Sequence, residues 1–188
     1  MARQRTGVIA LEFLLSMPVL FITTLAAFQF GILALVVLTG TTAVMEAARE
    51  GAKTFSSTLP LNNNAGVDTD PTGDNDIVDK VALVIDEFLA IHGLEVRQEG
   101  FSDDPAKGNA VVIVDRGGMI FTRGDTTITR NPTGPAAGTS EIAVTLCFEL
   151  VDSADPTGPG NPVPDWLSSF GMSISAFRFE MTSRANLE

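Results

Sequence analysis

VIALEFLLSMPVLFITTLAAFQFGILALVVLTGTTAVMEAAREGAKTF, residues 8–55, contains 33 consecutive positions, Phe13 to Met45, without Asp, Glu, Lys, Arg or His. About 20 apolar residues are enough to cross the hydrocarbon core of a bilayer as a helix. A core helix of a soluble domain rarely runs so far without a charge, so the stretch reads as a membrane-inserted helix. As one continuous helix it is roughly 70 Å long at 1.5 Å per residue, and a bilayer uses less than half of that. The remainder has to pack on a globular domain or bundle with other helices.

Working outward, the flanks set the orientation. Arg3 and Arg5 precede the run, and nearly all of the acid behind the formal charge of −11 follows it. Basic flanks favour the cytoplasmic side, which puts the N-terminus inside and the acidic part outside. Arg49 and Lys53 on the far flank are accompanied by Glu46 and Glu50. A chain this acidic is a poor partner for nucleic acid, whose phosphates need a positive surface. Cys147 is the single cysteine, so no intrachain disulfide forms.

The N-terminus differs from an ordinary secretory signal. Its apolar stretch exceeds the usual length of about 7–15 residues, and no small-residue cleavage site follows it. Glu12 also sits inside the apolar run, five residues after Gly7. A carboxylate at the membrane core costs about 2.5–3.5 kcal/mol on insertion scales, less near the cytoplasmic end, and marks a functional position by default. Cutting after Gly7 supplies a partner, because it creates an α-amino group on Val8 with a reference pKa of about 7.7–8.0. Glu12 is then four residues from that terminus, or within reach of a neighbouring subunit's amine if helices stack in axial stagger. In a low-dielectric bundle the attraction is strong and largely offset by desolvation, so the pair acts as a register device.

Gly7, Val8-Ile9-Ala10-Leu11 and Glu12-Phe13 together resemble the processing site of type IV prepilins, which a membrane prepilin peptidase cuts after the glycine. Within that group the chain is similar to TadE-like minor pilins (pseudopilins) of tight-adherence Flp pilus systems. The resemblance rests on the leader, Pro18 early in the helix, Phe28-Gln29-Phe30-Gly31, and Ala47-Ala48-Arg49-Glu50-Gly51-Ala52 at the helix exit. Ser175-Ala176-Phe177-Arg178-Phe179-Glu180 echoes the A-x-M-R-x-E of the family's last strand, and Gln29 stands where relatives often carry an acid. The resemblance implies other pilin subunits, a pilus assembly platform and the membrane as partners. It also implies an inner-membrane location, extracellular after assembly, and a proline that lets the helix bend or melt on leaving the bilayer. Pro18 itself removes a backbone donor and is expected to kink the helix.

Ala26, Ala27, Gly31, Ala34, Gly40 and Ala43 allow close helix approach. Thr23, Thr24, Gln29, Thr39, Thr41 and Thr42 have two options, bonding across helices or to their own backbone.

Four segments result: a leader (1–7), the helix (8–55), an acidic loop (56–76) and an extracytoplasmic domain (77–188). Ile77, Val81, Val84, Ile85, Phe88 and Leu89 recur at helical spacing, which predicts an amphipathic helix from Ile77 to His92. Asp74 to Asp76 can cap its start and Gly93 can end it. Strand-like runs follow at Leu94–Gln98, Ala110–Asp115, Met119–Arg123, Thr126–Arg130, Ile142–Val151 and Met172–Ser183, with turn signals at Gly117-Gly118 and Gly124-Asp125. Asp152 to Pro164, with four prolines, reads as an excursion between the last two strands, and Asp165-Trp166-Leu167 as a short helical turn. The fold class is therefore α+β: a long pilin-type helix, then one amphipathic helix packed on an antiparallel sheet.

One metal site has a motif. Asp68, Asp70, Thr72, Asp76 and Asp79 fall at positions 1, 3, 5, 9 and 12 of an EF-hand-like calcium loop, with Gly73 at 6 and the Asp74 carbonyl at 7. Asp at position 12, Asn75 at 8 and the lack of a preceding helix favour a solvated acidic loop that caps the following helix dipole. No other cofactor is indicated. One histidine and one cysteine on different elements make no nucleophile–base pair, so an enzyme is not expected. His92 reads as a partner for the last carbonyls of its helix, Cys147 as a small core residue, and Trp166 as a packed loop anchor in preference to an exposed binding aromatic. The competing function is a permanently anchored extracytoplasmic binding protein that never assembles; an anchored hydrolase ranks far behind.

Overall fold

The computed structural model describes residues 5–54, 77–94, 96, 110–124, 128, 136–150, 161–175 and 177–187. Helix α1 runs without interruption from Arg5 to Thr54, with Pro18 inside it. Proline has no N–H, so the Leu14 carbonyl one turn earlier lacks its usual helical donor. Thr23, Thr24, Thr39, Thr41 and Thr42 each return their hydroxyl to a carbonyl three or four residues back. The threonines thus take the backbone option and bring few free donors to a neighbouring helix.

Helix α2 (Ile77–Leu89) continues as a 3-10 turn, Ala90–His92, as its apolar spacing predicts. Gly93 ends it in the left-handed region at φ 70°, with its N–H on the Ala90 carbonyl and the Leu94 N–H on that of Leu89. Those two bonds satisfy carbonyls that a helix end otherwise leaves open.

Strands β1 (Ala110–Arg116), β2 (Met119–Gly124), β3 (Glu141–Glu149) and β4 (Arg178–Asn186) form one open antiparallel sheet in the order β2-β1-β3-β4. Period-2 alternation divides its two faces. Val112, Val114, Ile142, Val144, Leu146 and Phe148 point toward the helices and join the main core with α1 and α2 residues. Val111, Ile113 and Cys147 point the other way and bury a smaller cluster with Ile128. On that second face the hydroxyls of Thr145 and Thr182, directly opposite in the ladder, lie 2.9 Å apart.

One predicted strand is corrected, and two others lie mostly outside the described residues. The last begins at Arg178, not Met172, because Asp165 holds the preceding segment in a loop: its Oδ2 accepts from Ser173 Oγ at 2.6 Å and from the Ile174 N–H at 3.3 Å. Leu94 and Val96 are buried but lie outside any ladder, and the Val96 N–H donates to Asp86 Oδ1 at 2.9 Å instead of to a strand. Of Thr126–Arg130 only Ile128 is described, and it lies in a bend. β2 stops at Gly124, whose φ of +98° and close approach to the carbonyls of Ala110 and Val96 leave no room for a Cβ.

Candidate functional site

The sheet domain divides α1 into two parts. On the docked part, Gln29, Val36, Gly40, Ala43, Val44, Ala47, Ala48, Gly51 and Ala52 are buried at helical spacing. Here the small residues serve the chain's own domain. A Cβ on Gly40 would meet Met181 Sδ at 3.0 Å and Phe148 at 3.5 Å, and one on Gly51 would meet Ile142 Cδ1 at 2.7 Å and Val81 Cγ2 at 3.1 Å. Gly31, by contrast, has nothing within 4 Å, and Ala27 and Ala34 are exposed. Gly40 and Ala43 are therefore spacers for sheet and helix packing, and Gly31 and Ala34 are left on an open face.

These contacts also set levels along the helix axis. Gly51 lies beside Ile142, Gly40 beside Met181 and Phe148, and Gln29 beside Leu167. Among the described residues the domain therefore lies along α1 from its C-terminal end down to Gln29, where the 3-10 turn Trp166–Phe170 meets it. Below that level, residues 10–21 are exposed throughout, with Leu11, Phe13, Leu14, Leu15, Phe21 and their neighbours open on every face. Only 11% of the most apolar window of α1 is buried, whereas the core helix of a soluble domain is mostly buried. Nor is α1 a removable signal, because cutting behind the apolar run would strip Val36, Val44 and Ala47 from the core.

Gln29 is the one fully buried polar side chain of the described part of α1. Its Oε1 accepts from the Leu167 N–H at 3.1 Å, and its Nε2 donates to Asp165 Oδ1 at 3.5 Å. The first N–H groups of a 3-10 turn have no partner within the turn. Asp165, at the cap position, makes no side-chain cap bond, so a carboxamide 138 positions away caps the turn instead. Gln29 was legible in the sequence as the one amide in the apolar run; its partner was not. Trp166 takes the exposed alternative: it is 42% exposed, and the packed anchor of the loop is Leu167, 2% exposed.

His92 likewise faces another element: its Nε2 lies 3.0 Å from Thr39 Oγ1 on α1, not on its own helix's carbonyls. The Thr39 hydroxyl proton is directed to the Leu35 carbonyl, so the imidazole Nε2–H is the donor to Thr39. This bond ties the end of α2 to α1. Cys147 is buried on the sheet face turned away from the helices, so His92 and Cys147 lie on opposite sides of the sheet.

Gly7 and Val8 lie within the first turns of α1, and Glu12 and Phe13 are exposed on its free part. Glu12 shares a shallow apolar groove with Leu11, Leu15, Ser16, Val19 and Leu20. Of the calcium candidates, Asp68, Asp70, Thr72, Asp74 and Asp76 lie outside the described residues, and Asp79 is placed only as a backbone position in α2. Among the described residues, no three His, Cys, Asp or Glu side chains gather as a metal site.

An apolar helix, bare in its lower half and cemented into a small α+β domain in its upper half, defines a single-span membrane protein with a helix-borne domain. Residues 7–52 match the family model of TadE-like proteins, so that segment of the chain is TadE-like. The match begins at Gly7 and ends within the last turn of α1, before the sheet. No curated protein and no solved structure matches the chain.

Proposed function

We propose that the protein is a minor pilin or pseudopilin: prepilin peptidase cuts it after Gly7, and it is then incorporated into, or primes, a Flp-type pilus for surface adhesion or secretion. The observation that carries this reading is the division of α1 within a TadE-like segment. The domain occupies the helix above Gln29, which leaves a bare rod below it with Glu12 near its end.

That division supports a depth for the acid. The polar groups docked at Gln29, among them Asp165 and Ser173, cannot sit in hydrocarbon, so the outer boundary of the core falls near Gln29. Twenty-one residues separate Val8 from Gln29, a rise of about 32 Å, against a hydrocarbon core of about 30 Å. Val8 then lies at the inner boundary and Glu12 about 6 Å inside it. An acid at that depth gains from a positive partner, and the amine unmasked on Val8 is the nearest one. Stacked in stagger, the bare rods of neighbouring subunits bring amine and carboxylate together and exchange lipid contacts for helix contacts. The N-terminus is cytoplasmic before extraction and the domain extracytoplasmic. On the far flank Arg49 and Lys53 pair with Glu46 and Glu50 at 3.3 and 3.4 Å, which leaves Arg3 and Arg5 as the basic flank without acids beside it in sequence.

Intact-mass analysis and N-terminal sequencing, from cells with active prepilin peptidase, test the reading. A mature chain beginning at Val8 is expected. An unprocessed chain overturns it and leaves a permanently anchored binding protein. Glu12→Gln is expected to preserve insertion and processing and to abolish incorporation into filaments; incorporation at wild-type level refutes the pairing role.

A further inference from the structure

The 3-10 turn docked at Gln29 also carries exposed apolar side chains. Trp166, Phe170 and Met172, on and just after the 3-10 turn, are 42%, 47% and 53% exposed. From Asn161 to Phe177 the chain carries a single ionisable side chain, Asp165, in a protein of net charge −11. That carboxylate is engaged by Gln29, Ser173 and the Ile174 N–H, so the loop presents no free acid of its own.

We propose that Trp166, Phe170 and Met172 insert into the headgroup–acyl boundary of the bilayer beside α1, a second membrane contact made by the globular domain. The occupant follows from the level of the turn. Leu167 is bonded to Gln29, and a span from Val8 to Gln29 matches the hydrocarbon thickness, so the turn sits where the hydrocarbon ends. A lower boundary, near Ile22, would leave about 21 Å of helix for a core of about 30 Å. A higher one would pull Asp165, Ser173 and the turn's backbone into hydrocarbon, where polar groups without full internal partners are not tolerated. Ile22, Leu25 and Ala26, on the Gln29 face just below it, are half-buried whereas residues 10–21 are exposed. An aromatic ring with a polar N–H suits that boundary, which is why tryptophan concentrates there. The acidic domain gains nothing from anionic headgroups, so insertion rests on apolar contact and is insensitive to salt.

The inference depends on α1 crossing a bilayer but not on processing after Gly7, so the unprocessed chain serves for the test. Trp166 is the protein's single tryptophan, and its fluorescence reports the site without a label. The full chain is reconstituted in phosphatidylcholine vesicles, recovered by flotation, with bromines near the headgroup end or near the methyl end of the acyl chains. Expected are a blue-shifted emission, stronger quenching by the shallow bromines than by the deep ones, and protection from acrylamide. These signals should be unchanged by added salt and by dilution of protein in lipid. Phe170→Ser combined with Met172→Ser should reduce both the blue shift and the shallow quenching while Trp166 remains. Red, acrylamide-accessible emission without bromine quenching overturns the proposal. So does equal quenching by deep bromines, or a blue shift that vanishes on dilution, which would make a second copy of the chain the occupant.

Discussion

Replacing Gln29 by leucine should detach the 166–170 turn from α1. The side chain is 0% exposed and leucine nearly matches its volume, so the substitution removes polar partners with little change in packing. The Leu167 N–H loses its acceptor at 3.1 Å, and a buried amide without a partner costs about 1–3 kcal/mol. The bond from Nε2 to Asp165 is 3.5 Å long, beyond the usual range of such bonds, and carries little weight. Added apolar burial returns part of the loss, so the net destabilisation should be about 2 kcal/mol. If the domain unfolds as a unit, its melting temperature falls by about 4–8 °C, using 2–4 °C per kcal/mol for chains of this size.

Local opening would instead appear in hydrogen exchange. A loss of about 2 kcal/mol raises exchange at the Leu167 amide roughly 30-fold while β3 amides hold their rates. Both readouts can be followed on the full chain in nanodiscs. Gln29→Glu sharpens the test, because its carboxylate can still accept from Leu167 but faces Asp165 at the same short range. It should be less stable than the leucine variant at neutral pH, because two buried carboxylates at that range repel. Melting and Leu167 exchange in Gln29→Leu both unchanged to within about 0.5 kcal/mol would refute the capping argument.

Two glycines in α1 should respond with opposite signs. Gly51→Val forces methyl groups into Ile142 and Val81, both fully buried, and should destabilise the domain by about 2–3 kcal/mol in denaturant titration. Gly31→Ala meets nothing within 4 Å and should be neutral or stabilising by up to about 1 kcal/mol through helix propensity; the reverse order would contradict the docking of α1. For the acidic loop, added Ca²⁺ should leave the melting temperature unchanged, as expected of a solvated cap. A rise that disappears in Asp68→Ala would establish a calcium site instead.

What the sequence made legible was local or periodic. The α2 stripe from Ile77 to Leu89 and its end at Gly93 could be read off because spacing and a left-handed terminator reside in neighbouring residues. Strands β1 and β3 could be read from β-branched runs bounded by turns. The misreadings occur where a side chain replaces a ladder. Val96 looks like a strand residue, but Asp86 takes its N–H; Met172 to Ile174 alternate like a strand, but Asp165 ties them into a loop. Trp166 was misread for a related reason: the residue beside it, Leu167, fills the core, which leaves the larger ring outside. The pairing of Gln29 with Leu167 spans 138 positions, and no local pattern carries such information.

The free and docked parts of α1 place different demands on the same helix. Above Gln29 its neighbours are fixed by the chain itself, so under the proposed function a move from bilayer to filament would leave that packing intact. Below Gln29 every contact must be exchanged, and the exposed Leu11, Phe13, Leu14, Leu15 and Phe21 tolerate that exchange only into another apolar environment. Apolar side chains are almost indifferent between lipid tails and a helix bundle, so they supply little force in either direction. Direction then has to come from groups that do distinguish the two states. Under the proposed pairing Glu12 is one, because a bundle that offers it an amine would favour the assembled state and a bundle out of register would penalise it. Under the proposed membrane contact, the Trp166–Phe170–Met172 surface is the other, with the opposite sign: the boundary it occupies exists only while the protein is in the bilayer. The balance predicts that Phe170→Ser with Met172→Ser eases extraction and Glu12→Gln impairs it. Combining them should give an intermediate release rate, because the two groups lie at opposite ends of the span and share no partner. A combined variant that behaves like either parent would show that the two contacts do not act independently.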